Sequence, residues 1–191
     1  MNTSPLLQFI SRKAPLSAPE EALLTRLFKP VRLEKNAVLE QENRPAGQLY
    51  YIHQGFVRIS SNEDGRDITT QLMGGPGFIT CFTSFMSGKP SQESLIAITG
   101  CDAYSITKAD YLLLHQQSPN WKHFCQRLYE QAIAFGLQRT KDMLTLPAEK
   151  RYRKLLTAQP ELIRYVPLQY IASYIGIKPE SLSRIRKKVI F

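Results

Sequence analysis

The 191-residue sequence has little cysteine and no long apolar run. Cys81, Cys101 and Cys125 lie far apart, which excludes both a disulfide framework and a CxxC metal pair. No segment approaches the roughly 20 apolar residues that span a bilayer. The N-terminal sequence MNTSPLLQFISRK has neither the leading basic segment nor the cleavage site of a secretory signal. We therefore expect a cytoplasmic protein that makes no membrane contact.

The sequence also lacks the motifs of common enzymes. It contains no nucleophile elbow, no phosphate-binding loop and no paired carboxylates at catalytic spacing. Its three histidines, His53, His115 and His123, do not have the spacing of metal ligands. These absences predict a protein that is not an enzyme, binds no metal and has no resident cofactor.

Acidic residues are scarce, and their scarcity is local. The chain has 25 Lys and Arg against 16 Asp and Glu, a formal net charge of +9. Residues 148–191 hold ten basic and three acidic residues, a net +7, so the rest of the chain is nearly neutral. A basic segment beside a neutral body favours a polyanionic partner, although a solvated basic tail would have the same composition.

Three patterns follow one another along the chain. Ser17 to Glu20 has the S-x-x-E spacing of a capping box at the start of a helix. Residues 31–106 alternate short β-rich runs with turns, including the hairpin signal Asp64-Gly65, which predicts an antiparallel roll. A long helix is predicted to start near Asn120. Its apolar stripe, which could pack on the roll or on a second copy of itself, is Trp121, Phe124, Cys125, Leu128, Ala132 and Phe135.

The segment LQYIASYIGIKPESLSRIRK predicts a helix-turn-helix at 168–187. Small Ala172 allows two helices to cross closely, Gly176 suits the reversal, and Pro179 suits the opening of the second helix. Ile177 is expected to be a buried plug, with Leu182 and Ile185 pointing inward. An ordinary helical hairpin is the alternative. The residues predicted to contact DNA are Lys178, Glu180, Ser181, Ser183, Arg184, Arg186, Lys187 and Lys188.

Two segments resemble the Crp/Fnr family of regulators, in particular its compact bacteroidete-type branch. PLQYIASYIGIKPESLSRIRKK resembles the family's C-terminal motif, and AGQLYYIHQGFVRIS resembles its cyclic-nucleotide-binding roll. The resemblance implies an α+β fold with an N-terminal double-stranded β-roll of jelly-roll type. It places this sensor domain at 1–118, a dimerisation helix at 119–146 and a helix-turn-helix domain at 147–191. Glu180 and Arg184 match the family's base-reading E-x-x-x-R pair.

The same resemblance implies a transcription regulator that binds double-stranded DNA as a homodimer, with RNA polymerase as a further partner. Two departures from the family pattern stand out. The chain ends at Phe191, so we expect no β-hairpin wing. Lys178 stands where Ser or Thr usually caps the second helix of the motif, which is called the reading helix below.

The ligand pocket also departs from the pattern. Thr80 and Cys81 replace the family's glycine and glutamate, and Ser91, Gln92 and Glu93 replace its R-S-A turn. We therefore expect no cAMP binding of the usual kind, and an unidentified small-molecule effector remains open. The candidate pocket residues are Phe78, Thr80, Cys81, Phe82, Lys89, Ser91, Gln92 and Glu93.

Three alternatives stay open. The aromatic rings of Tyr50, Phe78, Phe82 and Phe85 could line an apolar pocket or form core. Cys81 could be a redox sensor or a buried thiol. The alternative function is a small-molecule or cyclic-nucleotide sensor whose DNA binding is weak or vestigial.

Overall fold

The structure is a computed structural model, and it describes residues 4–190. The helices are α1 (Pro5–Ser11), α2 (Ala18–Leu27), α3 (Phe82–Ser87), α4 (Lys108–Gln117), α5 (Pro119–Thr145), α6 (Ala148–Ala158), α7 (Pro160–Tyr165), α8 (Leu168–Tyr174) and α9 (Pro179–Ile190). The strands are β1 (Lys29–Leu33), β2 (Val38–Glu40), β3 (Gln48–Gln54), β4 (Phe56–Glu63), β5 (Arg66–Gly74), β6 (Gly77–Ile79), β7 (Ser94–Ala97) and β8 (Cys101–Thr107).

The strands form two antiparallel four-stranded sheets. One sheet has the order β1-β8-β3-β6 and the other the order β2-β7-β4-β5. Tyr51 and Ile52 of β3 are buried in one sheet, and Val57 and Ile59 of β4 are buried in the other. All four side chains belong to one apolar cluster, which fills the space between the sheets and continues under the N-terminal helices and α5. This confirms the predicted α+β fold with an N-terminal roll.

Local chemistry explains several element ends. Asp64 and Gly65 both have positive φ in the β4–β5 hairpin, as the Asp-Gly signal predicted. The backbone N–H of Ser17 donates to Glu20 at 2.9 Å, which confirms the predicted capping interaction. Ser118 Oγ accepts the N–H of Trp121 and so caps the start of α5.

The long helix α5 has two different halves. In its first half, Trp121, Phe124 and Cys125 are buried against the roll, as predicted. In its second half, Ala132 and Phe135 of the predicted stripe are exposed. The roll therefore packs only against the first half of α5, and the second half of the helix extends beyond the roll.

A second apolar cluster forms around α6 to α9. Tyr152, Ile171 and Leu182 are fully buried in it, and Leu72 and Ile98 of the roll belong to the same cluster. The C-terminal helices thus pack directly on the sheet that contains β5.

Three details differ from the sequence prediction. The Pro160 connection is itself a short helix, α7, and α3 interrupts the predicted run of strands. Ile177, expected to be buried, is only half-buried, because it lies in the short turn between α8 and α9. The expectation of a missing wing depends on Phe191, which lies outside the described residues. It stays a prediction, as do the domain boundaries.

Candidate DNA-binding site and sensor pocket

The reversal between α8 and α9 is a tight glycine turn. Gly176 has φ of 70°, its N–H donates to the Ser173 carbonyl, and the N–H of Ile177 donates to the Ala172 carbonyl, each at 3.0 Å. This pair of bonds is the Schellman arrangement that ends a helix on a left-handed glycine. Ala172 is fully buried where the two helices cross, so a larger side chain would separate them. The predicted helix-turn-helix geometry is therefore present.

The second helix presents one buried and one open face. Leu182 is completely buried, and Ile185 is half-buried beside it. Among the residues predicted to contact DNA, Arg186 is half-buried and all the others are exposed. The exposed set is Lys178, Glu180, Ser181, Ser183, Arg184, Lys187 and Lys188. Glu180 and Arg184 lie one turn apart on the open face, so both side chains are available to the same ligand surface.

Two arginines hold the turn from the side of the long helix. Arg139 of α5 donates to the Tyr174 carbonyl at 2.8 Å and lies over the Tyr174 ring. Arg151 of α6 donates to the Ile175 carbonyl at 3.0 Å and also to the carbonyl of Leu146. Arg151 was counted only as part of the basic segment in the sequence. In the structure it satisfies carbonyls at the end of α8 and after α5, and so holds the turn after α8 against the junction of α5 and α6.

The predicted pocket residues come together between β6, α3 and β7. Cys81 and Ser91 are both buried, and each donates to the carbonyl of Glu93, at 3.5 Å and 2.7 Å. Thr80 is buried nearby and donates to the Gln48 carbonyl. Cys81 and Ser91 stand at the positions of the family's acidic and basic ligand contacts, and they are linked here through one backbone carbonyl. They contribute no formal charge to the pocket.

The remaining pocket candidates lie at its edge or in the core. Tyr50 and Phe85 are buried, and Phe78 packs against the same core, which favours the core interpretation for these three rings. Phe82 points outward and contacts the ring of Tyr129. Lys89 and Gln92 are exposed.

Cys81 has the character of an unreactive thiol. Burial raises the pKa of Cys81 to about 11, and the hydrogen bond with Ser91 offsets this only in part. A thiol with so high a pKa is almost fully protonated at neutral pH and is a poor nucleophile. Within residues 4–190, no group of three or more His, Cys, Asp or Glu side chains could hold a metal ion.

Sequence reasoning missed the residues that join the two halves of the molecule. Arg58 of β4 is buried and forms two 2.7 Å bonds with Asp67 of β5, while its guanidinium lies 3.9 Å from the centre of the Tyr170 ring in α8. The N–H of Thr69 donates to Ser173 of α8 at 2.8 Å. Arg58 and Tyr170, like Thr69 and Ser173, are more than 100 residues apart in the chain, and no local pattern links them.

Comparison with known proteins agrees with this architecture. Residues 30–118 match the cyclic nucleotide-binding domain family. No match was found among curated proteins. The c-di-GMP-responsive global regulator CLP of Xanthomonas campestris is 20% identical with a TM-score of 0.71, covering 91% of this chain and 92% of its own.

Two other solved structures show the same arrangement. A protein from Eubacterium rectale assigned to the Crp/Fnr transcriptional regulators is 16% identical, with a TM-score of 0.71 over 98% of this chain and 87% of its own. The catabolite activator protein of Thermus thermophilus is 19% identical, with a TM-score of 0.58 over 98% and 87%. This chain has the fold of the Crp/Fnr regulators. The resemblance noted in the sequence is confirmed at that level, whereas the bacteroidete-type assignment stays a prediction.

No helix among residues 4–190 is both long enough and apolar enough to cross a membrane.

Proposed function

We propose that this chain is a sequence-specific, double-stranded-DNA-binding transcription regulator of the Crp/Fnr type, acting in the cytoplasm as a homodimer. The observation that carries the proposal is the open face of α9. It presents Glu180 and Arg184 to solvent while Leu182 anchors the helix from behind. The similar solved structures named above are regulators, which supports a regulatory function over an enzymatic one.

The chemistry of α9 suits a major groove. Arg184 can donate two bonds to guanine O6 and N7, and Glu180 can accept a bond from cytosine N4. Ser181 and Ser183 add hydroxyl contacts, and Lys178, Arg186, Lys187 and Lys188 are assigned to phosphates. Phosphate contacts raise affinity for any sequence, whereas the Glu180–Arg184 pair would select the site.

The projecting half of α5 supports the dimer. Ile133, Leu137, Thr140 and Leu144 follow a 4-3-4 spacing, the a/d repeat of a coiled coil. Ile133, Leu137 and Leu144 are 62%, 69% and 81% exposed in the single chain. Pairing two copies along this seam would remove six large apolar side chains from water and place two reading helices on opposite sides of a two-fold axis. Half-sites would then lie roughly 34 Å apart.

Burial of one large apolar side chain contributes about 1.5–3 kcal/mol. Leu137→Asp removes this contribution from both copies and places two carboxylates near each other. We expect the dimer dissociation constant to rise at least about a hundredfold. Sedimentation velocity measures it, and Leu112→Asp, at an exposed position of α4, is the control. A Leu137→Asp dimer as tight as the wild type would exclude this seam.

The pocket geometry supports the expectation that cAMP does not bind in the usual way. The cyclic phosphate would need a cation or several aligned donors. Ser91 already donates to a backbone carbonyl, Lys89 is exposed, and the Glu93 carboxylate is close by. A different small-molecule effector is proposed for this pocket, and RNA polymerase is proposed as a further partner.

The deciding experiment is selection of DNA sites from a random pool, followed by affinity measurements with Arg184→Ala. We expect enrichment of a near-palindromic site. Arg184→Ala should cost about 1–3 kcal/mol on that site and relax one base position. Arg26→Ala, an exposed arginine on α2, is the matched control. Equal losses on every sequence would mean that Arg184 contacts only phosphate. Absence of any enriched site would favour the sensor with vestigial DNA binding.

A further inference from the structure

We propose that strand β5 transmits changes in the roll pocket directly to the helix-turn-helix of the same subunit, through Thr70 on one side and Thr69 with Ser173 on the other. This inference rests on the proposed DNA-binding function for its biological meaning. It adds a route that does not pass through the pairing seam of α5. The route is short, because Thr69 and Thr70 are consecutive residues of one strand.

The route starts at an irregularity in β5. Ser60 of β4 pairs with Thr69, whereas the preceding residue of β4, Ile59, pairs with Gln71. Thr70 is therefore an extra residue in β5 with no partner opposite it, which is a β-bulge. β5 is also the edge strand of its sheet. A bulge on an edge strand can change shape without breaking the ladder on both sides.

On the pocket side, Thr70 contacts the candidate ligand site. Its hydroxyl donates to a carboxylate oxygen of Glu93 at 2.6 Å. The backbone carbonyl of Glu93 accepts the bonds from Cys81 and Ser91. A molecule that enters between Cys81 and Ser91 must compete for that carbonyl, and it then moves the residue that Thr70 binds.

On the other side, Thr69 contacts the helix-turn-helix. Thr69 is 1% exposed, and its backbone N–H donates to the Ser173 hydroxyl at 2.8 Å. An edge-strand N–H covered in this way has no water to replace a lost partner, so the bond constrains the position of α8. Ser173 Oγ also lies 3.4 Å from the Asp67 carbonyl.

Side-chain packing around the Thr69–Ser173 bond restrains the position of α8 relative to β5. The Arg58 guanidinium is held by two bonds to Asp67 and stacks on Tyr170, one helical turn before Ser173. Leu72 of β5 lies in the same buried cluster as Ile171 of α8. A shift of the Thr69 amide therefore moves α8, and the Schellman turn passes that shift to the reading helix α9.

Hydrogen exchange on the full-length dimer, without DNA, tests the route. The variants are Thr70→Val, Ser173→Ala and the double variant, with Thr83→Val, an exposed threonine of α3, as the matched control. Thr70→Val removes the bond to Glu93, together with the longer 3.3 Å bond to the Ile59 carbonyl, and keeps the shape of the side chain. We expect at least about threefold faster exchange in the amides of α8 and unchanged exchange at 133–144 in α5. Thr70→Val should add little further effect in the Ser173→Ala background.

Two results would overturn the route. One is Thr70→Val changing exchange only in β5 and at 91–94, with α8 unaffected. The other is a double variant whose effect is the product of the two single effects, because independent sites behave in that way. Binding of the selected DNA site is measured on the same variants. Loss of exchange coupling with DNA binding intact refutes the route alone, whereas absence of specific DNA binding in the wild type refutes the proposed function alone.

Discussion

Glu20 offers the sharpest test of how the roll holds the long helix. Its carboxylate is 7% exposed and lies at the junction of α2 and α5. It accepts bonds from the Ser118 hydroxyl, the Asn120 side-chain amide at 2.9 Å and the Ser17 N–H at 2.9 Å. We predict that Glu20→Gln loosens the start of α5, because an amide binds these donors less strongly than a carboxylate does.

The magnitude follows from the pKa of Glu20. Burial raises the pKa, but the hydrogen bonds from Asn120, Ser118 and Ser17 outweigh burial and lower it from 4.5 to about 2. Because the folded pKa lies below the unfolded value, the stabilisation is fully present above about pH 4.5. It is lost as the pH falls through the window from 4.5 to 2. The shift corresponds to at most about 3 kcal/mol of unfolding free energy at neutral pH.

Urea unfolding from pH 7 to pH 3 measures this contribution. The fluorescence of Trp121, the single tryptophan, reports on the same junction. We expect Glu20→Gln to be less stable than the wild type at pH 7, with the difference shrinking below pH 4.5. Glu21→Gln, at the neighbouring half-buried glutamate, is the control and should change the stability little at pH 7. A Glu20→Gln difference that stays constant with pH would refute the reasoning.

Three further predictions concern the helix-turn-helix and the pocket. Gly176→Ala should lower the unfolding free energy by about 1–2 kcal/mol, because φ is 70° there and the new Cβ would meet Met143 Cε at 2.5 Å. Gly47→Ala, where the Cβ has open space, should cost little in the same urea assay. Lys178→Thr should add about 1 kcal/mol of stability through helix capping and lower the salt slope of DNA binding by about 1, and an unchanged slope would argue against a phosphate contact. Titration calorimetry should detect no micromolar binding of cAMP. Micromolar cAMP affinity would contradict the degenerate-pocket hypothesis.

Much of the fold was predictable because its signals are local. The Asp64-Gly65 hairpin depends on two residues that tolerate positive φ, and the turn at Gly176 depends on one. The E-x-x-x-R spacing of Glu180 and Arg184 places both side chains on one helical face wherever that helix packs. Such features need only their own neighbours in the chain.

The candidate pocket was predictable only in part. The sequence identified Cys81 and Ser91 as replacements of charged ligand contacts, but it did not show that both bind one carbonyl. The outward direction of Phe82 also depends on where α3 lies on the roll. Side-chain direction in a short helix follows from its packing, which residue spacing alone does not specify.

By itself, then, the sequence determined the succession of an N-terminal helix, a roll of short strands, a long helix and a helix-turn-helix, together with the residues that share the open face of α9. The tertiary structure alone decided which distant groups meet. Glu20 forms a local capping bond that the S-x-x-E pattern foretells, yet its bonds to Ser118 and Asn120 span about 100 residues. The Thr69–Ser173 bond spans 104. Contacts of this kind depend on how the sheets and helices pack, because the free energy that selects them comes from burying whole surfaces and not from neighbouring residues.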